Sequence, residues 1–129
     1  MNSLKIKERQ VGDVTVLDMD GKMRIGESGA VFCNTIHRLL EESRRKILLN
    51  LKGVTHIDSS GLGELIASYN TLHKTKGQVK LLHLTQRVRE LMTLTKLLTV
   101  FDVYESESEA LNSFKNLTLD LEELQPVLQ

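Results

Sequence analysis

Residues 46–73 read KILLNLKGVTHIDSSGLGELIASYNTLH. The first six, from Lys46 to Leu51, form a short apolar run without clean alternation, which is typical of a strand buried on both faces. Apolar residues then recur with helical spacing from Leu62 to His73, while polar residues such as Ser68 fall on the opposite face. This amphipathic pattern predicts the strongest helix of the chain. We therefore expect the polar loop around Asp58 to lie at the carboxyl edge of a sheet, where α/β proteins place their sites.

The segments before residue 46 predict a hairpin followed by a helix. Leu4 and Ile6 alternate with lysines, and the β-branched run from Val14 to Met19 follows a Gly-Asp turn signal, which is most simply an antiparallel hairpin. Gly21 then interrupts the chain. The next apolar residues have the spacing of one helix face and predict a helix that ends near Ser43. They are Phe32, Ile36, Leu39 and Leu40.

The segments after residue 73 continue the alternation of helices and strands. Gly77 ends the strongest helix, the run from Val79 to Leu84 predicts another buried strand, and the run from Val100 to Tyr104 predicts the last one. Between these two strands, a third amphipathic helix is marked by Val88, Leu91, Met92 and Thr95. A capping box over residues 106–109 predicts a final helix through Phe114.

The order of these elements predicts one α/β domain. The pattern β-β-α-β-α-β-α-β-α implies right-handed crossovers and a mixed, mostly parallel sheet of about five strands with about four helices. We expect the domain to span residues 1–116. Residues 117–129 form an acidic tail with Asp120, Glu122 and Glu123 and no Lys or Arg, and its leucines would either dock as a strand or helix or stay mobile until a partner covers them.

Composition excludes several classes of function. The 129 residues carry 17 Lys+Arg and 17 Asp+Glu, a balance that argues against nucleic-acid binding, which usually needs a basic excess on one face. No segment approaches the ~20 apolar residues of a membrane span, and the N-terminus lacks the apolar core of a signal peptide, so we expect a cytoplasmic protein. Cys33 is the only cysteine, which excludes a disulfide framework. The partners that remain are other proteins.

The loop sequence DSSGLGE carries the most specific polar pattern of the chain. Asp58, Ser59 and Ser60 can each cap the following helix by accepting a hydrogen bond from one of its first N–H groups. Gly61 and Gly63 leave the first turn uncluttered, so that another backbone can approach. A serine hydroxyl at a helix N-terminus is also a favourable place for a phosphate, because free amides and the helix dipole stabilise negative charge there. A plain helix cap explains the same residues.

Three catalytic interpretations fit less well. Asp18 and Asp20 after a strand look like the start of a haloacid-dehalogenase-type phosphatase motif, but Lys22 stands where a threonine is expected and the last strand offers no paired carboxylates for magnesium. A response-regulator receiver would set the same carboxylates beside Asp58, but it needs a helix between the first two strands and a lysine after the last. A serine nucleophile elbow around Ser60 needs glycine where Asp58 stands.

The histidines and the cysteine show no metal-ligand spacing. His37 and His56 lie far apart in the sequence, and Cys33 provides no cluster of soft ligands. His73 lies on the apolar helix face and His83 in an apolar strand, positions where histidines are usually satisfied core or rim residues. The sequence therefore predicts no metal site, no cofactor and no catalytic set.

Three features together resemble the STAS domain, specifically the anti-sigma factor antagonists of bacteria. They are the run from Lys46 to Leu51, the loop Asp58-Ser59-Ser60-Gly61-Leu62-Gly63, and the amphipathic helix behind it. Their order and spacing agree with that family over residues 4–115. The resemblance implies a STAS fold and a binding module that is not an enzyme.

The resemblance also implies a phosphorylation switch. In that family the first serine of the pair is phosphorylated by a partner kinase that is also an anti-sigma factor, and a PP2C-type phosphatase reverses the reaction. The unphosphorylated form sequesters the anti-sigma factor and so frees the sigma factor. Carried over by position, Ser59 is the phospho-acceptor. The loop that shapes the turn and meets the partner comprises Asp58, Ser60, Gly61, Leu62, Gly63 and Glu64.

One departure from the family concerns the residues after the second strand. Many members carry Gly-Glu-Leu-Asp there, and the matching residues in this chain are Gly21-Lys22-Met23-Arg24. Basic residues thus replace acidic ones. If Lys22 and Arg24 lie close to Ser59, they would favour a phosphate or select a partner with an acidic surface.

A second function is compatible with the same resemblance. STAS subunits also serve as parts of multi-protein signalling scaffolds or of lipid-transport ABC systems. In those assemblies the serine would contact a partner without being modified. Gel filtration and pull-down separate this alternative from the switch, because a stable large complex that ignores phosphorylation favours the scaffold.

Overall fold

Five strands and four α-helices follow each other within residues 4–24 and 27–114, the part of the chain that the computed structural model describes. The strands are β1 (Leu4–Val11), β2 (Val14–Met23), β3 (Lys46–Ile57), β4 (Gln78–Leu82) and β5 (Val103–Tyr104). The helices are α1 (Glu27–Glu41), α2 (Ser59–Lys74), α3 (Gln86–Leu94) and α4 (residues 107–114), and a 3₁₀ turn occupies Leu97–Thr99. The predicted tail over residues 117–129 lies outside the described part.

The sheet has helices on both faces. Its strand order is β1-β2-β3-β4-β5, with β1 antiparallel to β2 and each later pair parallel. Helices α1, α2 and α3 cover one face, where they bury Phe32, Leu65 and Met92 in the larger core. Helix α4 covers the other face with Ala110 and Phe114. The predicted α/β fold with a mixed, mostly parallel sheet is confirmed.

Strands β2 and β3 run further than the sequence predicts. Gly21, expected to interrupt the chain, lies inside β2 with φ 113°, and β3 continues past Leu51 to Ile57. The two strands stay paired because Gly53 fits closely against β2: a Cβ at this position would lie 2.8 Å from the carbonyl oxygen of Met19. This extension brings the end of β2 alongside the loop that follows β3.

Strand β5 is shorter than predicted. It comprises only Val103–Tyr104, because the 3₁₀ turn before it uses the upstream backbone. The N–H of Val100 donates to the carbonyl oxygen of Leu97 at 3.0 Å, and Phe101 then turns into the larger core. The apolar run from Val100 to Tyr104, predicted as one strand, therefore consists of a turn followed by a short strand.

Two polar side chains lie differently from the prediction. Ser68, expected on the polar face of α2, is buried, and its hydroxyl donates to the carbonyl oxygen of Leu65 at 2.7 Å. His83 follows β4 in a left-handed conformation with φ 55° and is not part of the strand. His73 is exposed at the rim of the core, where its ring stacks on Tyr69 with the ring centroids 5.8 Å apart.

A charged cluster fastens α4 to the sheet. The Arg9 guanidinium donates to both carboxylate oxygens of Asp18, at 2.6 and 3.1 Å, and to both of Glu107, at 2.9 and 2.6 Å. Asn50 donates to the same Asp18 carboxylate at 2.8 Å. Glu107 begins α4, so the cluster joins this helix to β1, β2 and β3. The hydrogen bonds from Arg9 hold the pKa of Asp18 and that of Glu107 below their usual range.

Replacing Arg9 by glutamine is expected to lower the free energy of unfolding by about 1 kcal/mol at pH 7, because two half-exposed carboxylates lose a shared charged donor. Carboxyl groups whose pKa is lower in the folded state stabilise the fold above their unfolded pKa of about 4, and this contribution is lost as the pH falls through the folded values. Urea unfolding at several pH values should therefore show the wild-type advantage shrinking below about pH 4.

The matched control for this prediction is Lys46→Gln, which removes an ion pair with the exposed Asp13. This substitution should change the free energy of unfolding by less than about 0.5 kcal/mol. A wild-type advantage over Arg9→Gln that is the same at acidic and neutral pH would show that the carboxylates are not its source.

Candidate functional site

The candidate loop begins where β3 ends. Ile57 is the last residue of β3, and Asp58 follows in an extended conformation as the N-cap of α2. Asp58 Oδ1 accepts a hydrogen bond from the N–H of Gly61 at 2.9 Å, and the N–H of Asp58 donates to the carbonyl oxygen of Met23 in β2 at 3.1 Å. Of the three residues that the sequence offers as helix caps, Asp58 takes this role.

The two serines of the loop are the first two residues of α2. Ser59 and Ser60 are both exposed. The N–H groups of a first helical turn and the helix dipole place positive partial charge beside these hydroxyls. A modifying enzyme can therefore reach them, and a phosphate at this position would be electrostatically favoured.

The two glycines of the loop have different surroundings. Gly61 is buried against the end of β2, and a Cβ there would lie 2.5 Å from the carbonyl oxygen of Met23 and 2.8 Å from Cγ1 of Ile57. Gly63 is exposed, and a Cβ there would meet nothing within 4 Å. The predicted close approach of another backbone is confirmed at Gly61, where that backbone is the chain's own strand β2. Gly63 does leave its surroundings open.

Leu62 and Glu64 occupy opposite environments in the first turns of α2. Leu62 is 6% exposed and belongs to the larger core, so it shapes the loop from the inside. Glu64 is partly exposed and lines a small crevice between α1 and α2, together with Cys33 and His37. The exposed tip of the loop therefore consists of Ser59 and Ser60.

Basic residues flank this loop on the side of β2. Lys22 pairs with His56 across the parallel strands. Arg24 directly follows Met23, whose carbonyl oxygen accepts the hydrogen bond from the loop. Lys22 is partly exposed and Arg24 is exposed. The structure thus brings both predicted basic residues to the sheet edge that carries Ser59.

Sequence reasoning missed two further basic residues of this edge, His56 and Arg87. His56 directly precedes Ile57 at the end of β3, and Arg87 lies in the first turn of α3. The N-cap of α3, Thr85, donates its hydroxyl to the carbonyl oxygen of Val54 in β3 at 3.1 Å, which holds this helix start against the C-terminal part of β3. Position at the carboxyl ends of parallel strands was the only available signal for these residues.

The charges of this edge act on one another. Partial burial of the His56 ring is the largest factor that lowers its pKa, and the charges of Arg87, Lys22 and Arg24 lower it further. His56 also lies 3.1 Å from the hydroxyl of Thr55, measured from Nδ1 to Oγ1. Below its lowered pKa, the imidazolium would add a fourth positive charge.

The acidic residues considered for phosphatase or receiver chemistry lie elsewhere. Both oxygens of Asp18 accept hydrogen bonds from Arg9, so this carboxylate belongs to the attachment of α4. Asp20 pairs with Gly53, which precedes Asp58 by roughly 16 Å along β3. The structure therefore does not bring these carboxylates together with the loop.

Two further properties concern the part of the chain that the structure describes. Within residues 4–24 and 27–114, no group of three or more His, Cys, Asp or Glu side chains is placed to hold a metal ion. The four histidines are spread over α1, the end of β3, the end of α2 and the residue after β4. In the same ranges, no helix is long and apolar enough to cross a membrane.

Comparisons with known proteins agree on one family. A family model described as STAS domain matches residues 5–110. An anti-sigma F factor antagonist of Paenibacillus polymyxa is 22% identical over 113 residues, which cover 88% of this chain and 97% of that protein. A crystal structure from Thermotoga maritima, provisionally described as an anti-sigma factor antagonist, has a TM-score of 0.77 at 26% identity, over 84% of this chain and 92% of that one.

A third similar protein is the Bacillus cell fate determinant SpoIIAA in its phosphorylated form. It shares the fold with a TM-score of 0.68 at 18% identity, over 85% of this chain and 99% of that one. The resemblance to STAS domains, and to the anti-sigma factor antagonists among them, is thus confirmed. The matched residues include the whole sheet from β2 to β5 and the loop around Ser59. The chain belongs to the STAS domain family.

Proposed function

We propose that this chain is an anti-sigma factor antagonist whose binding is switched by phosphorylation of Ser59. The unphosphorylated form binds an anti-sigma factor that is also a serine kinase, and the sequestered anti-sigma factor frees its sigma factor. A PP2C-type phosphatase restores the binding form. The protein acts in the cytoplasm by binding rather than by catalysis, and its relatives with the name anti-sigma factor antagonist support this function.

The position of Ser59 carries this proposal. Ser59 is exposed at the first position of a helix that starts from the carboxyl edge of the sheet. Asp58 already caps the helix through the N–H of Gly61, so capping does not require the Ser59 hydroxyl. An exposed serine that the fold does not need is better explained as a site of modification than as a structural residue.

The physics of the switch follows from the charge of a phosphate. A phosphoserine carries about −1.5 to −2 charge at neutral pH. At Ser59 this charge would lie beside the carboxylate of Asp58 and would repel an acidic partner surface. It would also have to lose water to enter an interface, which costs free energy unless donors on the partner replace that water. Both effects release the partner.

Phosphorylation in vitro tests the proposed function. The full chain is incubated with ATP and an anti-sigma-type serine kinase from the same organism, and the product is mapped by mass spectrometry. We expect a single phosphate on Ser59. The Ser60→Ala variant should accept it and the Ser59→Ala variant should not. A phosphate on another residue would overturn the proposal, and so would a stable complex with the kinase that ATP never changes, which is the behaviour of a scaffold subunit.

A further inference from the structure

Four basic residues from three elements meet at the edge of the sheet beside Ser59. We call Lys22, Arg24, His56 and Arg87 the basic edge. The register of β2 on β3 sets Lys22 opposite His56, and the next pair in the register joins Met23 to Ile57. The side chains of Arg24 and Arg87 are exposed, while those of Lys22 and His56 are partly exposed.

The backbone explains why the basic edge reaches the loop. The carbonyl oxygen of Met23 accepts the N–H of Asp58 and lies 2.5 Å from the place of a Cβ at Gly61. Arg24 therefore begins next to the first turn of α2, the turn that contains Ser59 and Ser60. From the other side, the bond from Thr85 to β3 holds the start of α3 near the same strand end.

Several positive charges act on one another at the basic edge. Among the described residues, the charges that add to the effect of burial and lower the pKa of His56 are those of Arg87, Lys22 and Arg24, and each of them disfavours its imidazolium. The nearest acids in the sequence are Asp20, two residues before Lys22, and Asp58, two residues after His56. The Asp58 carboxylate accepts the N–H of Gly61 in the helix cap. Concentrated positive charge on an exposed surface attracts an anionic ligand and is relieved by it.

We propose that the basic edge is the docking surface for an acidic segment of the protein partner. This inference names the chemistry of the partner and so rests on the function proposed above. The exposure of Arg24 and Arg87 fits a surface contact with a polypeptide better than the enclosure of a small anion. Nucleic acid is disfavoured because the whole chain has zero formal charge and the basic edge contains no aromatic ring of Phe, Tyr or Trp on which a base would stack.

The proposal also explains how one phosphate can control this partner. An acidic segment held by the basic edge would lie beside Ser59, at the carboxyl edge of the same strands. A phosphate there would offset the positive charge of the basic edge and repel the segment at once. Phosphorylation then weakens the electrostatic attraction of the acidic segment as well as its direct contact with the loop.

The test uses a poly-L-glutamate peptide of about ten residues as the probe, with NMR of the full chain as the readout. We expect saturable shifts of Lys22, Arg24, His56 and Arg87, weaker binding as salt rises to about 0.3 M, and a higher pKa of His56 in the complex. Of the residues that the structure describes, Lys22, Arg24 and Arg87 carry the charges that act on this ring, and the hydroxyl of Thr55 lies beside it.

Matched variants locate the binding surface. The double variant Arg24→Gln/Arg87→Gln should bind the peptide about fivefold more weakly, because two exposed charges each contribute a fraction of a kcal/mol. The control Arg45→Gln/Lys74→Gln removes two exposed cations from other parts of the surface and should stay within about twofold of wild type. Equal losses in both double variants would overturn the proposal, because they would reflect only total charge.

Two competitor probes identify the class of ligand. Inorganic phosphate should shift the same signals only weakly, and a short duplex DNA should bind no better than the peptide. Tighter binding of phosphate than of the peptide, or of DNA than of the peptide, would overturn the proposal. Phosphorylation of Ser59 is scored separately by mass spectrometry, so an unresponsive basic edge in a chain that is still phosphorylated would refute this inference and leave the proposed function standing.

Discussion

Ser59→Asp is expected to bind the anti-sigma partner at least tenfold more weakly than the unmodified chain, a loss of about 1.4 kcal/mol. The added carboxylate would lie at the exposed start of α2, beside Asp58 and within the field of the basic edge. It would weaken the attraction of an acidic segment and would lose hydration on entering the interface. Isothermal titration calorimetry with the unphosphorylated partner gives both affinities directly.

Three variants distinguish the effect of a charge at position 59 from the effect of side-chain shape and from that of the net charge of the protein. Ser59→Asn has nearly the size of the aspartate without its charge, and Ser59→Ala should bind yet resist phosphorylation. Ser43→Asp adds the same charge in the exposed turn after α1, at the opposite edge of the sheet. If Ser59→Asp and Ser59→Asn bind equally, the electrostatic account of the switch is wrong. If Ser43→Asp binds the partner as weakly as Ser59→Asp, the position of the added charge plays no part in the loss of affinity.

Much of the fold could be predicted because local patterns and packing agree. The apolar spacing from Leu62 to Leu72 corresponds to the face that α2 buries, and the alternation of strands with helices corresponds to the parallel pairs of the sheet. The ends of strands were less predictable. The length of β3 depends on how closely Gly53 approaches Met19 of another strand, and no local pattern contains that distance.

The candidate site could be predicted only in part. The loop around Ser59 has a distinctive sequence, so its place between a strand and a helix was recognisable. His56 and Arg87 carry no such signature, because their proximity to Lys22 arises from the register of β2 on β3 and from the docking of α3. The roles of Gly61 and Gly63 could not be separated either, since two glycines in one helical turn look alike until the neighbouring strand is in place.

Gly61→Ala is expected to lower the free energy of unfolding by about 2 to 4 kcal/mol, the largest stability effect among these predictions. The new methyl group would lie 2.5 Å from the carbonyl oxygen of Met23 and 2.8 Å from Cγ1 of Ile57. A backbone carbonyl paired in a sheet cannot move aside as a side-chain end can, so α2 would have to shift from β2. Alanine's better helix propensity, worth about 1 kcal/mol, offsets only part of this cost.

The same substitution at Gly63 is the control within the same helical turn. A Cβ at Gly63 meets nothing within 4 Å, so Gly63→Ala should keep or raise stability by up to about 1 kcal/mol. Urea unfolding of both variants measures the difference, and equal stability would contradict the close packing of α2 on Met23. Gly63 is exposed in the same helical turn as Ser59. If the folded Gly63→Ala variant binds the partner more weakly than wild type, the backbone at Gly63 belongs to the interface. The pair thus separates a glycine needed by the fold from one available to a partner.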